Sequence, residues 1–550
     1  MILQKRVVYC LLIGLALANI VFRYPIDTGH ELGSDTTFVH SLANRVVQSG
    51  RAVWILQPTS YLGLYALSYP SAMPFFFASA SMVGGGPIEA VTLFSGWTFA
   101  LAGCLGAFLL ARRIRRDDTF ALLVATMFSL APFFLKDTFW VASTRGFVVA
   151  LLPIFLLLLV RPLVKYDLRD VVLVLALFLL LSATHRMGSL VIFFVVAFVF
   201  AIPFHKLTQR LRFALLRYER PARHFILGFA VAGFLVVFWV QFQYPGTTGA
   251  NVIDQYGSGA FFEGQSFPIL VANMGVSLSG KIGLLSPLAV LGLVAYVWRR
   301  PKEAVDKFLL TASLLFLPLL SLRDYMGEFL IPLFVILVVM GLLWFTSRTR
   351  RRRLVTVAAV VLVAGSLVFS WEMKDYWRDR YRTDAPILVS SYQTGLYIRY
   401  SAPGTSVANE GLFGGQIAAV SGAPVMPLGG ASLHWTGPQQ LAWGFVAPAD
   451  VHVHLLPLTS ISFDTDEIFI PEGLRNAEFD WETMLFYTAP NQADQVFDVY
   501  HVTYIIVNEN FPDSFYSYGY ERPSLYLASV VPSTYYATYD DGAFRIWYRG

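Results

Sequence analysis

Runs of Val, Leu, Ile, Phe and Ala, separated by short clusters of Arg and Lys, fill the first two-thirds of the chain. A helix needs about 20 apolar residues to cross a bilayer. Eleven runs meet or approach that length: 7–22, 91–111, 120–135, 147–160, 168–184, 190–204, 225–242, 282–298, 308–322, 329–345 and 354–371. A twelfth, 61–83, contains Pro70 and Pro74 and ends in Gly84-Gly85-Gly86-Pro87. After 371 the pattern changes. Residues 372–384 are charged and aromatic, as suits an interfacial linker, and 385–550 hold no spanning run. Within that last part, 386–390 and 502–507 read as buried strands. Residues 534–539 and 543–548, around Asp540-Asp541-Gly542, read as a β-hairpin, because Asp-Gly supports the positive backbone angles of a tight turn.

Composition agrees with the pattern. Of 550 residues, 56% are hydrophobic and 14% charged, against about 25% charged in a soluble domain. The fold class expected is an α-helical polytopic membrane protein, with about 11 spans and a C-terminal extracytoplasmic α/β domain. Its divisions are 1–371 (membrane domain, with an outer loop at 23–90), 372–384 (linker) and 385–550 (outer domain). The first run follows Lys5 and Arg6, but Arg23, Tyr24 and Pro25 come next in place of a small-residue cleavage site, so it reads as a retained span. Cys10 and Cys104 both sit in apolar runs, so no disulfide framework follows.

The positions of the positive charges set the topology. Cytoplasmic loops collect Lys and Arg. With the N-terminus inside and 61–83 not crossing, the inner segments hold 24 Lys and Arg and the outer loops 8. If 61–83 crossed, every later loop would switch sides. That stretch is therefore expected on or dipping into the outer face. The protein is expected in the cell (plasma) membrane, with its N-terminus cytoplasmic and its C-terminal domain outside. The net charge of +5 is thus explained by topology, and no nucleic-acid partner is expected. Arg351-Arg352-Arg353 suits contact with anionic membrane lipid.

The span interiors are almost free of ionisable residues, whereas ion-coupled transporters usually bury some. The polar groups gather at outer ends of spans: Asp35; Lys136, Asp137 and Arg145; His185 and Arg186; Arg323, Asp324 and Glu328. The outer loop 243–280 adds Asp254, Tyr256 and Glu263. All face one aqueous side, which suits a reaction at the outer surface. Asp35 opens an amphipathic helix pattern in which Phe38, Leu42 and Val46 share a face and His40, Arg45 and Gln48 are polar. Ser34 or Asp35 reads equally as a helix N-cap. Arg323–Asp324 reads equally as a local ion pair, Lys136–Asp137 more readily as one, and His185 more readily as a hydrogen-bonded helix end. Trp54, Tyr61, Tyr65 and Tyr69 suit an interfacial belt. In the outer domain, Gly411-Leu412-Phe413-Gly414-Gly415 is too short a signal for nucleotide binding.

The order of segments carries a resemblance. An outer acid in Gly33-Ser34-Asp35-Thr36-Thr37-Phe38-Val39-His40 is followed by Ser68-Tyr69-Pro70-Ser71-Ala72-Met73-Pro74, a glycine turn, and a span ending in Arg112-Arg113. This layout resembles the GT-C-fold glycosyltransferases, in particular the catalytic subunit of oligosaccharyltransferase and its archaeal relatives. Asp35 matches the family's catalytic Asp and His40 roughly its His; the Pro and aromatic pair between them are missing. The resemblance implies transfer of a sugar from a polyprenyl-phosphate or -diphosphate carrier to an acceptor outside the cytoplasm. It implies Asp35 as catalytic acid and Arg323 as leading carrier-phosphate contact, with Arg145, His185, Arg186 and His40 as further substrate contacts. It also implies a divalent cation, Mg or Mn, held by Asp35 and Asp137. The acceptor motif Trp-Trp-Asp is absent, and His434-Trp435-Thr436-Gly437 does not replace it, which argues against sequon-directed N-glycosylation. Two rival readings stay open: a lipid-linked glycan transporter or flippase, and a non-catalytic envelope protein on the same scaffold. Convergence of Asp35, Asp137 and Arg323 on one outward cavity would favour the enzyme.

Overall fold

The computed structural model describes residues 5–26, 28–52, 70–164, 167–201, 279–298, 303–316, 326–348, 352–380, 387–401, 404–408, 411–423, 425–427, 497–498, 501–508, 531 and 533–550. Arg323, Asp324, the run 225–242, the loop acids Asp254 and Glu263, and Trp54, Tyr61, Tyr65 and Tyr69 lie outside the described residues.

Ten of the eleven expected spans contain a described helix. Three helices are long and apolar enough to cross a membrane, at Ile88–Ile114, Thr144–Leu163 and Gly327–Thr346. The expectation of about 11 spans is thus matched only in part among the described residues. In chain order the helices are α1 (Lys5–Val21), α2 (Ser34–Ser49), α3 (Ala72–Gly84), α4 (Ile88–Ile114), α5 (Asp118–Ser129), α6 (Pro132–Asp137), α7 (Thr144–Val164) and α8 (Leu168–Thr184). After α9 (Ile192–Ala201) come α10 (Leu288–Trp298), α11 (Ala304–Phe316), α12 (Met326–Arg348) and α13 (Arg352–Arg380). The expected span 120–135 is two helices. Leu130 and Ala131 end α5, and Pro132 opens α6 at a position where its missing N–H costs nothing. Of the stretch 61–83, the described part includes α3, which packs against α2 and α4.

Small residues let the helices approach closely, as is common between helices in membranes. A Cβ on Gly292 of α10 would collide with the Leu337 carbonyl of α12, and one on Gly341 of α12 with the Leu288 carbonyl of α10. On α4, Gly103 faces the rings of Phe128 and Phe134, both fully buried. Arg23, just past α1, is also fully buried. Its guanidinium donates to the Thr138 hydroxyl at 2.6 Å, the Asn19 side-chain oxygen at 2.8 Å and the Ser129 carbonyl at 2.8 Å. It thereby ties α1 to the segment that carries Asp137.

The C-terminal region builds a five-stranded sheet in the order β2-β1-β3-β5-β4. Strands β1 (Thr405–Ala408), β2 (Val425–Pro427) and β3 (Val502–Asn508) are parallel, and β3, β5 (Phe544–Arg549) and β4 (Tyr535–Asp540) are antiparallel. The expected strand 502–507 is β3, central and buried along Tyr504–Val507. The expected hairpin is β4–β5, with Gly542 at φ 79° and Asp540 accepting from its N–H at 2.9 Å. The expected strand 386–390 is not one: Val389 begins α14 (Val389–Tyr400). Its buried face is Ser391, Thr394, Gly395 and Ile398, a helical stripe of small and polar residues that an apolar pattern does not reveal.

This C-terminal region packs on α2. Helix α15 (Gly411–Ser421) packs along it, and Asn44 donates to the Ala419 carbonyl at 2.6 Å. The Ile387 N–H donates to the Glu31 carbonyl at 3.1 Å, and the His30 ring stacks on Tyr392 at 3.8 Å.

Candidate active site

The first turns of two helices, and Glu328 near the first described residue of a third, converge in one place. Asp35 is the second residue of α2, Arg145 the second of α7 and Glu328 the third of α12. Acids at such ends are favoured by the helix dipole, and a cation there is not. Arg145 therefore depends on its acidic neighbours. Its Nη2 donates to Asp35 Oδ2 at 2.7 Å, and its Nη1 stands 4.0 Å from Glu328 Oε1.

The N-cap of α2 is Gly33, at φ 90°, and no side chain caps the helix. Asp35 is thus not spent on capping. Backbone at positive φ is natural for glycine. Trp140 adopts φ 50° opposite it, a conformation unusual for a bulky residue. The Leu32 N–H donates to the Trp140 carbonyl at 3.1 Å, which locks the two loops together. On the other wall, a Cβ on Gly146 would collide with the Asp137 carbonyl oxygen. Glycine here lets the first turn of α7 press against the end of α6, and so brings Arg145 beside Asp137.

Between these walls lies a small open cleft. Asp35, Lys136, Asp137, Ser143, Arg145 and Lys374 line it, with Gly33, Phe139 and Val141. Asp137 is buried and accepts from the Ser143 hydroxyl at 3.3 Å. Lys374, on α13, is buried, with its ammonium 3.9 Å from the Phe139 ring centre and 3.7 Å from that of Trp371. Asp375 lies 3.2 Å from that ammonium.

Burial in the cleft pushes the Asp35 carboxyl up. The charge and hydrogen bond of Arg145, aided by His185 and Lys136, outweigh that and hold it below the ordinary carboxylate range. The side chain still keeps 47% exposure and lines the cleft. The result is an ionised carboxylate open to a ligand.

The cleft brings together Asp35, Asp137 and Arg145 from the sequence reading, and His185, the C-cap of α8, acts on Asp35 through its charge. It does not bring in His40. Five residues on from Asp35, His40 points about 140° away round the helix, where its Nδ1 pairs with the fully buried Glu31. Arg186 opens a 3₁₀ turn, Arg186–Val191. Sequence reasoning missed Lys374, which it had placed in a linker. The usable signal was Trp371 and Lys374 three apart, the spacing that sets a ring and an ammonium on one helix face.

As placed, the described residues of the cleft do not fit a divalent-cation site. Such ions need several oxygen ligands converging at about 2.0–2.6 Å. Here Asp35 is ion-paired with Arg145, and the Arg145 guanidinium lies between Asp35 and Glu328. Among the described residues no three His, Cys, Asp or Glu side chains converge as a metal set.

No protein-family profile matches the chain, and no curated protein matches it in sequence. Solved structures do match in shape, and they show that the chain has the fold of the GT-C membrane glycosyltransferases. The apo oligosaccharyltransferase of Archaeoglobus fulgidus aligns over 92% of this chain and 70% of its own, at TM-score 0.56 and 12% identity. ArnT of Cupriavidus metallidurans bound to undecaprenyl phosphate aligns over 100% and 99%, at 0.51 and 13%. The mycobacterial arabinofuranosyltransferase AftD aligns over 100% of this chain and 42% of its own, at 0.54 and 13%. The chain is an integral membrane protein, polytopic and α-helical, with a C-terminal domain that contains a β-sheet.

Proposed function

We propose that the protein is a membrane glycosyltransferase that moves a sugar from a polyprenyl-phosphate or -diphosphate carrier to an acceptor outside the cytoplasm. The observation that carries this reading is the ionised Asp35 carboxylate facing Lys136, Arg145 and Lys374 across one cleft. A carboxylate can take a proton while the cations receive a phosphate. The undecaprenyl phosphate bound to ArnT, a protein of the same fold, supports a carrier of that chemistry.

In the reaction, an acceptor hydroxyl or other X–H group forms a bond to the anomeric carbon as the bond from that carbon to the carrier phosphate oxygen breaks. The proton of the acceptor goes to Asp35. The electron pair leaves with the carrier phosphate, whose charge Lys136 and Lys374 stabilise. The positive ends of α2 and α7 add to this, since exposed backbone N–H groups favour anions. Arg323 is the further carrier contact in this reading. The topology proposed with it is 11 spans in the plasma membrane, with the N-terminus cytoplasmic and the sheet domain outside.

The test is transfer from a radiolabelled polyprenyl-phosphate sugar by purified Asp35→Asn protein in liposomes. Transfer is expected to fall at least about 100-fold with thermal unfolding unchanged. Full activity in that variant, or translocation of the carrier without transfer in the wild type, would overturn the assignment.

A further inference from the structure

We propose that the Arg145 guanidinium stands in the position a divalent cation would take, so that the site works on protein-borne charge and binds no catalytic metal. The inference rests on the transferase reading for its chemistry but on geometry for its placement.

Three observations carry it. First, Arg145 reaches two carboxylates from two different helices with its two terminal nitrogens, Asp35 at 2.7 Å and Glu328 at 4.0 Å. A planar guanidinium with fixed N–H directions is suited to bridging carboxylates. Glu328 is only 5% exposed at its side chain, so the second carboxylate that Arg145 faces is a buried one. Second, the cleft itself is lined by two carboxylates and three cations, Lys136, Arg145 and Lys374. Carboxylates that a dication would need already face cations of the chain, Asp35 and Glu328 facing Arg145 and Asp375 facing Lys374. Third, α2 and α7 both present their N-termini here. These carry partial positive charge, which repels a cation and attracts an anion.

The chemical consequence is a division of labour. Arg145 keeps Asp35 ionised and aimed into the cleft, which is the service a metal would otherwise perform for an acceptor-orienting carboxylate. Lys136 and Lys374 add their charge to the same cleft, with the Lys136 ammonium over the Phe133 ring and the Lys374 ammonium over those of Phe139 and Trp371. Arg145 is in this sense a positioning residue for Asp35 as well as a source of charge.

The experiment uses the full chain in nanodiscs and titrates Mn²⁺, followed by its electron spin resonance signal. This readout does not depend on knowing the sugar. The wild type is expected to show no saturable binding, and its transfer activity to change less than about twofold in EDTA. Arg145→Met opens the position between Asp35 and Glu328 and is expected to gain one Mn²⁺ site, which the double variant with Asp35→Asn loses. Arg145→Lys retains a cation and is expected to bind no Mn²⁺. Saturable Mn²⁺ binding by the wild type that disappears in Asp35→Asn overturns the proposal. So does a folded Arg145→Met protein that gains no site. Should Arg145→Met fail to fold, the wild-type titration decides alone. Absence of transfer with every donor would defeat the enzyme reading, while the Mn²⁺ titrations would still decide whether Arg145 holds the cation position.

Discussion

Asp35 bears a charge in a cleft whose walls would push its proton on, and Arg145 reverses that preference. The sign of the pH dependence follows. A carboxyl held below its ordinary value stabilises the fold at all pH above that ordinary value, and the contribution is lost only as pH falls through the lowered one. At 47% exposure water screens the pair, so it is worth at most about 1 kcal/mol to stability. Its importance is to ionisation. Between about pH 5 and 8 the rate should show no acid limb from Asp35. In Arg145→Met, burial is opposed only by His185 and Lys136, and the carboxyl should rise. A kcat/KM profile should then acquire an acid limb at higher pH than in the wild type; an unmoved profile would show that Arg145 does not tune Asp35. Asp35 and Asp137 were legible in the sequence because acids are scarce at the outer ends of apolar spans. Lys374 was not, because a lysine after a span looks like any interfacial anchor until Phe139 and Trp371 are seen around it.

At the scale of elements, α2 is the moving question. It is a short amphipathic helix that no span contains, and its position is decided by what it packs against. Helix α3 packs on it, and so does α15 of the C-terminal domain. The bond from Asn44 to the Ala419 carbonyl closes that second contact. Asn44→Ala should cost about 1 kcal/mol and should speed hydrogen exchange in α2 while leaving β3 protected. Equal exchange in both would mean that α15 does not hold α2. Periodicity found α2, and β-propensity with an Asp-Gly turn found β4–β5. The strand expected at 386–390 became the start of α14 because its buried stripe is Ser391, Thr394 and Gly395, with Gly395 set against Val420. Close helix packing selects small residues there, and small polar residues carry no hydrophobic signal.

For the whole molecule, the testable quantity is orientation. The proposed topology puts the basic segment 112–116 inside and the sheet domain outside. In a background with Cys10 and Cys104 replaced by Ser, a cysteine at Tyr400, which is 82% exposed, should react in intact cells with an impermeant thiol reagent. One at Arg115 should react only after permeabilisation. The reverse pattern would invert the topology and place the cleft in the cytoplasm.

The sequence by itself determined that the chain is a polytopic membrane protein with a separate sheet-bearing end, because apolar length and charge asymmetry act along the chain and need no partner to be read. It also singled out Asp35 and Asp137. Only the tertiary structure decided that these two share a cleft, that His40 turns away from it to Glu31, and that Arg145 stands between Asp35 and Glu328. Those facts depend on where α2, α6, α7 and α12 meet. Their meeting is set by glycine contacts, a proline break and the packing of the C-terminal domain on α2, interactions between residues up to hundreds of positions apart that leave no local pattern.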